Sequence, residues 1–316
     1  MASKLQFLMY FIISVFSTFL AVACTSDNDV PFPDSEAPSI DFEESALTRG
    51  IVNAADDMSA FAVWGWYSPI SGTGTARQVF DATLVSRNGT TWTYDNIQRW
   101  QQGNSYQFYA IYPSFDAECG YESASYDQKN GTFTINNFDC SKAGDEAVDL
   151  MTAVRSVECG TDGYPGKVSM PFQHELAKVD IVGQSEGSDA YITGIQLTGI
   201  TSTGNYVMSE WKLDKTEIVT YTKDGFSLPA VPTNIFGSLL LIPQSVKDIQ
   251  LSITYEFPGI ANSSQTQILS LPATPDKWER GKHYQYSFTL KGNYIIFNSP
   301  QVNEWKEASG GIIIVA

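Results

Sequence analysis

The stretch "IQLSITYEF" at residues 249–257 decides the fold class. Apolar side chains occupy every second position, with polar side chains between them, in the order Ile249, Leu251, Ile253 and Tyr255. A period of two places successive side chains on opposite faces of an extended strand. The stretch therefore predicts a β-strand with one face in a core and the other face in water.

Similar patterns recur in both directions along the chain. "SYQFYAIYP" (105–113) alternates in the same way, and "GSLLLIPQSV" (237–246) holds a short apolar run that is typical of a strand buried on both faces. Asn88-Gly89 and Asn130-Gly131 are dipeptides that favour hairpin turns. Short strands separated by turn signals indicate β-sandwiches, so we predict an all-β protein.

Length and charge limit the number of domains and the kinds of partner. The chain has 316 residues, enough for about two domains. The polar, glycine-containing stretch Gly183–Ala190 is the best linker candidate. We therefore predict an N-terminal β-sandwich domain at residues 50–185 and a C-terminal one at residues 186–316. The net charge of −16 disfavours nucleic acid as a partner.

Residues 1–23 have the pattern of a secretory signal peptide. Lys4 precedes an apolar run, Leu5–Val22, that leads through small residues to Cys24. This order indicates cleavage rather than a membrane span. Ala21-Val22-Ala23-Cys24 resembles a bacterial lipobox, so Cys24 is the expected lipidation site, and its lipid would anchor the precursor to the outer membrane. The alternative is an ordinary signal peptide followed by a chance cysteine.

Residues 24–49 form a predicted propeptide with two parts. The first part is acidic and rich in proline, which indicates a linker. In the second part, Ile40 and Phe42 alternate with polar residues, which is a weak strand signal. The segment ends at Arg49-Gly50, where a single basic residue follows a long acidic stretch. A trypsin-like protease would cut this bond readily if it is exposed.

The remaining cysteines are Cys119, Cys140 and Cys159. An exported protein permits disulfides, and three cysteines can form at most one bridge among themselves. We predict the bridge Cys119–Cys140, because these two residues bracket a hairpin-like stretch. No Cys or His spacing suggests zinc, and we expect no metal site.

The sequence gives little support for catalysis. The two histidines, His174 and His283, lie far apart in the chain, and the common nucleophile, phosphate-loop and metalloprotease motifs do not occur. We therefore predict no enzymatic activity and no cofactor. Trp64 and Trp66 share one face of a predicted strand. They either form a sugar-stacking platform or pack in the core.

Five further stretches together resemble the fimbrillins, which are subunits of type V pili in oral and gut anaerobic bacteria. They occur in the family's order over most of the chain that follows the propeptide. The stretches are "VDLMTAV" (148–154), "VSMPFQHELAKVDI" (168–181), "LLLIPQ" (239–244), "WERGKHYQYSFTL" (278–290) and "VNEW" (302–305).

The resemblance implies two tandem transthyretin-like β-sandwich domains and export as a surface lipoprotein. It also implies that an arginine-specific protease cuts between Arg49 and Gly50 and removes Ser39–Leu47, the first strand of the sheet. Removing a strand leaves unpaired backbone groups and an apolar groove. A strand from another pilus subunit can fill that groove, as in donor-strand complementation.

The C-terminal sequence "GGIIIVA" (310–316) fits the donor role. It places Ile312, Ile313, Ile314 and Val315 in a strand that is apolar on both faces, behind a Gly-Gly hinge. We therefore predict a pilus subunit that donates this strand to its neighbour and supports adhesion. The alternative is that the tail completes its own sandwich. The protein would then be a tip, anchor or accessory fimbrillin, acting as an adhesin or glycan-binding lipoprotein for a host or bacterial surface receptor.

Overall fold

The computed structural model describes residues 36–44, 58–115, 118–187 and 190–305. These residues form β-strands and one turn of 3-10 helix at Gly144–Glu146, so the predicted all-β class is confirmed. All the strands belong to the unit that begins at Pro38. Among the described residues, no helix is long and apolar enough to cross a membrane.

The strands of the first half alternate with short turns, as the sequence predicts. In chain order they are β1 (Phe42–Glu44), β2 (Ala60–Pro69), β3 (Arg77–Asn88), β4 (Thr91–Thr93), β5 (Asn104–Tyr112), β6 (Ser123–Asp127), β7 (Thr132–Asp139), β8 (Met151–Cys159), β9 (Val168–Met170), β10 (Gln173–His174) and β11 (Ala177–Glu186).

The second half of the described chain is also built of short strands. They are β12 (Tyr191–Thr201), β13 (Thr203–Val207), β14 (Glu210–Leu213), β15 (Ile218–Lys223), β16 (Phe226–Ser227), β17 (Thr233–Asn234), β18 (Leu239–Leu241), β19 (Gln250–Glu256), β20 (Gln265–Ser270), β21 (Lys282–Lys291), β22 (Tyr294–Phe297) and β23 (Gln301–Glu304).

Within the described residues these strands form five sheets. One six-stranded sheet has the order β10-β8-β5-β2-β3-β4, and β1 pairs with β9 in a separate two-stranded sheet. A four-stranded sheet has the order β14-β13-β7-β6. The sheet β17-β11-β21-β22 also holds β18 and β23, and the sheet β15-β12-β19-β20 also holds β16.

The sheets do not divide at the predicted domain boundary between residues 185 and 186. Strand β11 crosses that boundary at its last residue, Glu186, and it pairs in parallel with β21 over nine residue pairs, from Lys178 with His283 to Glu186 with Lys291. Strand β7 from the first half pairs with β13 from the second half. Non-local pairing of this kind joins the two halves. The expected linker Gly183–Ala190 is wrong in its first part, because Gly183–Glu186 is the end of β11.

The buried side chains of the described residues form two cores. The smaller core lies between the β10-β8-β5-β2-β3-β4 sheet and the β1–β9 pair, and it contains Phe42 and Phe108. The larger core joins the other sheets and includes Trp64 and Trp66, which are 2% and 6% exposed. The core interpretation of this tryptophan pair is therefore correct, and the sugar-stacking platform is excluded.

The expected disulfide between Cys119 and Cys140 is absent, because Cys119, Cys140 and Cys159 are all free, buried thiols. The Cys119 thiol donates instead to the Tyr121 carbonyl oxygen at 3.2 Å. Burial raises the pKa of the Cys140 thiol to about 12. Thiolate is the form that reacts in disulfide formation, so this environment disfavours the bridge.

Candidate functional site

The first candidate site is the place where β1 enters the fold. Strand β1 runs parallel to β9 through three residue pairs, Phe42–Val168, Glu43–Ser169 and Glu44–Met170. The Val168 amide donates to the Asp41 carbonyl oxygen at 2.7 Å. This pairing confirms a strand within the predicted segment Ser39–Leu47, whose residues 45–47 lie outside the described part of the chain.

The chain just before β1 is held by main-chain contacts on its other side. The Ile40 amide donates to the Gln98 carbonyl oxygen at 2.9 Å, and the Trp100 amide donates to the Pro38 carbonyl oxygen at 3.1 Å. The Tyr94 hydroxyl donates to the Ile40 carbonyl oxygen at 2.7 Å. Burial raises the pKa of Tyr94 to about 12, so this hydroxyl stays protonated and keeps donating at alkaline pH, where a free tyrosine ionises.

Two side chains of this segment fill the smaller core. Ile40 is fully buried and Phe42 is 2% exposed. Among the described residues, four rings lie 5.5–5.9 Å from the Phe42 ring, in edge-on or tilted contacts: Phe61, Phe80, Tyr94 and Phe108. We call the space that these four rings, β9 and residues 98–100 form around Ile40 and Phe42 the β1 groove.

Loss of β1 and the residues just before it would leave the β1 groove with unpaired polar groups and with apolar walls that face water. The Val168 and Trp100 amides would lose their acceptors, the Gln98 carbonyl would lose the Ile40 amide, and the Tyr94 hydroxyl would keep only its longer bond to the Gln98 carbonyl at 3.4 Å. Buried polar groups without partners cost about 1–3 kcal/mol each. The apolar walls would face water at the same time. The emptied groove is thus complementary to another extended, apolar segment.

The other predicted site residues lie outside the described part of the chain. They are the lipidation site Cys24, the processing site Arg49-Gly50 and the donor residues Ile312, Ile313, Ile314 and Val315. Their roles stay predictions. In the sequence, Arg49 lies between β1 and β2, so a cut there would separate β1 from the rest of the chain.

A second candidate site surrounds His174, the last residue of β10, and Glu175, which follows it. The Nδ1 atom of His174 lies 2.9 Å from Oδ1 of Asp149. Burial raises the pKa of the Asp149 carboxyl, and its hydrogen bond with His174 opposes that rise. One face of the His174 ring stacks on the indole of Trp305. The histidine is therefore a structural, hydrogen-bonded residue.

Glu175 makes the second half of this site. Its carboxylate is 1% exposed and accepts two bonds from Nη1 of Arg280, at 3.1 and 2.8 Å. The Thr152 hydroxyl donates to the same carboxylate at 2.7 Å. The Trp211 indole nitrogen donates to the Glu175 carbonyl oxygen at 2.9 Å. The buried carboxylate needs its Arg280 and Thr152 partners, because an unpaired one is costly.

We call this group the His174–Glu175 junction, comprising Asp149, Thr152, His174, Glu175, Trp211, Arg280 and Trp305. It brings together residues from four of the five stretches that carry the family resemblance, including Asp149, His174, Arg280 and Trp305. The sequence marked the stretches but did not predict that they meet. Their separation along the chain hides the contact, and no local pattern reports it.

The two histidines and their carboxylate partners occupy separate places in the fold. Within the described residues, no group of three or more His, Cys, Asp or Glu side chains is placed to hold a metal ion. His283 lies with Asp180 at 2.8 Å, whereas His174 faces Asp149. The two histidines therefore contact separate carboxylates.

In class, the chain is a β-sandwich protein whose first described strand, β1, fills a groove of the fold. The chain belongs to the fimbrillin-like family, whose family model matches residues 48–305. No curated protein matches the chain. Comparison with solved structures shows a similarity in fold. A fimbrial protein from Bacteroides vulgatus aligns with 85% of this chain and 99% of its own, at 16% identity and a TM-score of 0.58.

A candidate cell adhesion protein from Bacteroides ovatus aligns with 86% of this chain and 99% of its own, at 13% identity and a TM-score of 0.57. At such low identities, these two likenesses show the fold alone. Membership of the family rests on the match over residues 48–305.

Proposed function

We propose that this protein is a structural subunit of a cell-surface type V pilus and that it polymerises by strand exchange. The observation that carries the proposal is the seating of β1. This strand fills an aromatic groove through three residue pairs with β9, and Arg49 follows it closely in the sequence. A strand that completes a core but precedes a protease-sensitive residue is well suited to removal.

The proposed sequence of events begins with export. The precursor loses residues 1–23, receives a lipid on Cys24 and is held at the outer membrane. An arginine-specific protease then cuts between Arg49 and Gly50. The released segment carries Ile40 and Phe42, whose burial contributes about 1.5–3 kcal/mol each, so the β1 groove becomes available to a replacement strand.

The donor is the C-terminal strand of a neighbouring subunit, in which Ile312, Ile313, Ile314 and Val315 are apolar on both faces. In the next subunit, this strand takes the place that β1 leaves. Because the donating end and the accepting groove are different surfaces, the contact is head-to-tail and does not close on itself. Repetition of such a contact generates a filament, which supports adhesion at the cell surface.

The test is polymerisation of the purified precursor after treatment with an arginine-specific protease. We expect filaments in electron micrographs of the cut wild-type protein. The Arg49→Ala variant should stay uncut and monomeric. The Ile313→Asp variant should be cut but stay monomeric, because a buried, unpaired carboxylate costs several kcal/mol. Filaments formed equally well by a chain lacking residues 310–316 would contradict the donor role.

A further inference from the structure

We infer that the β1 groove prefers a donor strand with an aliphatic residue followed two positions later by an aromatic residue, so that this chain's own tail fills the groove but binds more weakly than such a strand. The partner that fits best is therefore a different fimbrillin-like subunit whose donor strand carries that pair. The inference rests on the proposed strand exchange and names the kind of subunit that takes part in it.

Most contacts of the occupied groove carry no information about sequence. Strand β1 and the residues before it are held through the main-chain atoms of Pro38, Ile40 and Asp41. Any extended segment without a proline at the Ile40 position offers the same donors and acceptors. Selectivity must therefore come from side chains.

Two side chains of the present occupant enter the core. Ile40 and Phe42 are buried, whereas Asp41 and Glu43 between and beyond them are exposed. This alternation is the pleat of one strand, so the groove contains two pockets at a spacing of two residues. The first pocket holds an aliphatic side chain and the second holds a phenyl ring.

The second pocket is shaped for an aromatic ring. The Phe42 ring meets Phe61, Tyr94 and Phe108 edge-on and meets Phe80 at a tilt. The β2 residue beneath this pocket is Gly65, where a Cβ atom would lie 2.9 Å from Phe80 and 3.0 Å from Phe108. The absence of a side chain at Gly65 lets the Phe80 and Phe108 rings sit where they line the pocket.

The tail of this chain offers no aromatic residue. From Gly310 to Ala316 its largest side chains are isoleucines, so every register places at most an isoleucine in the Phe42 pocket. An isoleucine there loses the ring–ring contacts and leaves part of the pocket empty. Both effects weaken binding, since aromatic pairs add attraction beyond their buried area and voids in a core are destabilising.

The experiment compares dye-labelled peptides for binding to the full-length Ile313→Asp protein after cleavage at Arg49, measured by fluorescence anisotropy. The peptides are the native tail 310–316, its Ile314→Phe variant and its Ile312→Phe variant. The Ile314→Phe peptide has an isoleucine two positions before its phenylalanine. The Ile312→Phe peptide has the same composition but has Gly310 at that place, so it is the matched control.

We expect the Ile314→Phe peptide to bind at least about tenfold more tightly than the native tail, with the Ile312→Phe peptide close to the native value. Equal affinities of the two phenylalanine peptides, or a native tail that binds as tightly as the Ile314→Phe peptide, would overturn the inference.

A labelled peptide of residues 38–44 serves as a second probe. It distinguishes loss of the aromatic preference from failure of the proposed strand exchange. If this peptide binds and the aromatic preference is absent, strand exchange stands and the selectivity is wrong. If neither this peptide nor any tail peptide binds the cut protein, the groove does not open, and both the selectivity and the strand exchange on which it rests are wrong.

Discussion

The imidazole of His174 stacks on the indole of Trp305, with ring centroids 3.8 Å apart and planes 12° apart. Trp305 is 6% exposed, and its amide donates to the Gly281 carbonyl oxygen at 2.8 Å. It is also the last described residue before the predicted donor tail. The stack therefore fixes the point from which the tail departs, next to the buried Glu175.

Removing the His174 ring should make the main chain at Trp305 less firmly held. We expect His174→Ala to lower the free energy of unfolding by roughly 1–3 kcal/mol, because Asp149 loses its buried partner. Amide exchange at Trp305 should rise, as measured by hydrogen exchange with mass spectrometry. His283→Ala is the matched control, since that histidine pairs with Asp180 instead. Unchanged exchange at Trp305 in His174→Ala would show that the stack does not hold the chain there.

The Glu175–Arg280 pair should behave as a coupled unit. Arg280→Met leaves the Glu175 carboxylate buried without its cation and should cost on the order of 3 kcal/mol, the low end for a buried pair because Arg280 is 40% exposed. Adding Glu175→Gln to Arg280→Met should recover part of that loss. Denaturant unfolding of the two single variants and the double variant measures the coupling. Strictly additive losses would contradict it.

High pH should destabilise the fold through buried tyrosines. Burial raises the pKa of Tyr94, Tyr206 and Tyr286 to about 12, whereas a tyrosine in the unfolded chain ionises near about 10. The folded state then holds more protons than the unfolded state between these values. The stabilisation is complete below about pH 10 and is lost as the pH rises through about 12.

Thermal unfolding between pH 8 and pH 11, with tyrosinate absorbance as a second signal, should show this loss. The Tyr94→Phe variant should start from a lower melting temperature, because the bond to the Ile40 carbonyl oxygen is gone, and should fall less steeply with pH. A wild-type melting temperature that stays constant to pH 11 would argue against buried, protonated tyrosines.

Lipidation at Cys24 is a separate prediction about the precursor. Metabolic labelling with an acyl-chain precursor should mark the wild-type protein, because the lipobox pattern places this cysteine first after cleavage. Cys24→Ala should remove the label and reduce surface export, and Cys159→Ala should keep both. An unlabelled wild-type precursor would leave an ordinary secreted protein.

Local patterns predicted the strands well, and their limits have clear physical causes. In β19 the alternation put Leu251, Ile253 and Tyr255 in the core, because one regular pleat decides the side-chain direction. In β12, strict alternation would place Ile192 and Ile195 on opposite faces of the strand. Both are buried, because a register shift between Ile192 and Gly194 reverses the alternation. A bulge of this kind leaves no local signal.

The interpretation of Gly183 as part of a linker was wrong for a similar reason. Gly183 suggested a linker, yet it lies inside β11, where a Cβ atom would approach the Phe288 ring to 2.5 Å. Its role is close packing, which depends on a residue far away in the chain. The β1 groove shows the same difference between local patterns and non-local contacts. Alternation identified Ile40 and Phe42 as a strand, whereas its partner β9 and the four rings around Phe42 come from non-local contacts.

The most direct test of the strand-exchange account is the mass and N-terminal sequence of the protein in filaments taken from the cell surface. The account predicts a chain that begins at Gly50, carries no lipid and lacks β1, because β1 must leave before a donor strand can enter its groove. Assembled subunits that begin at a lipid-modified Cys24 and retain Ile40 and Phe42 would contradict it.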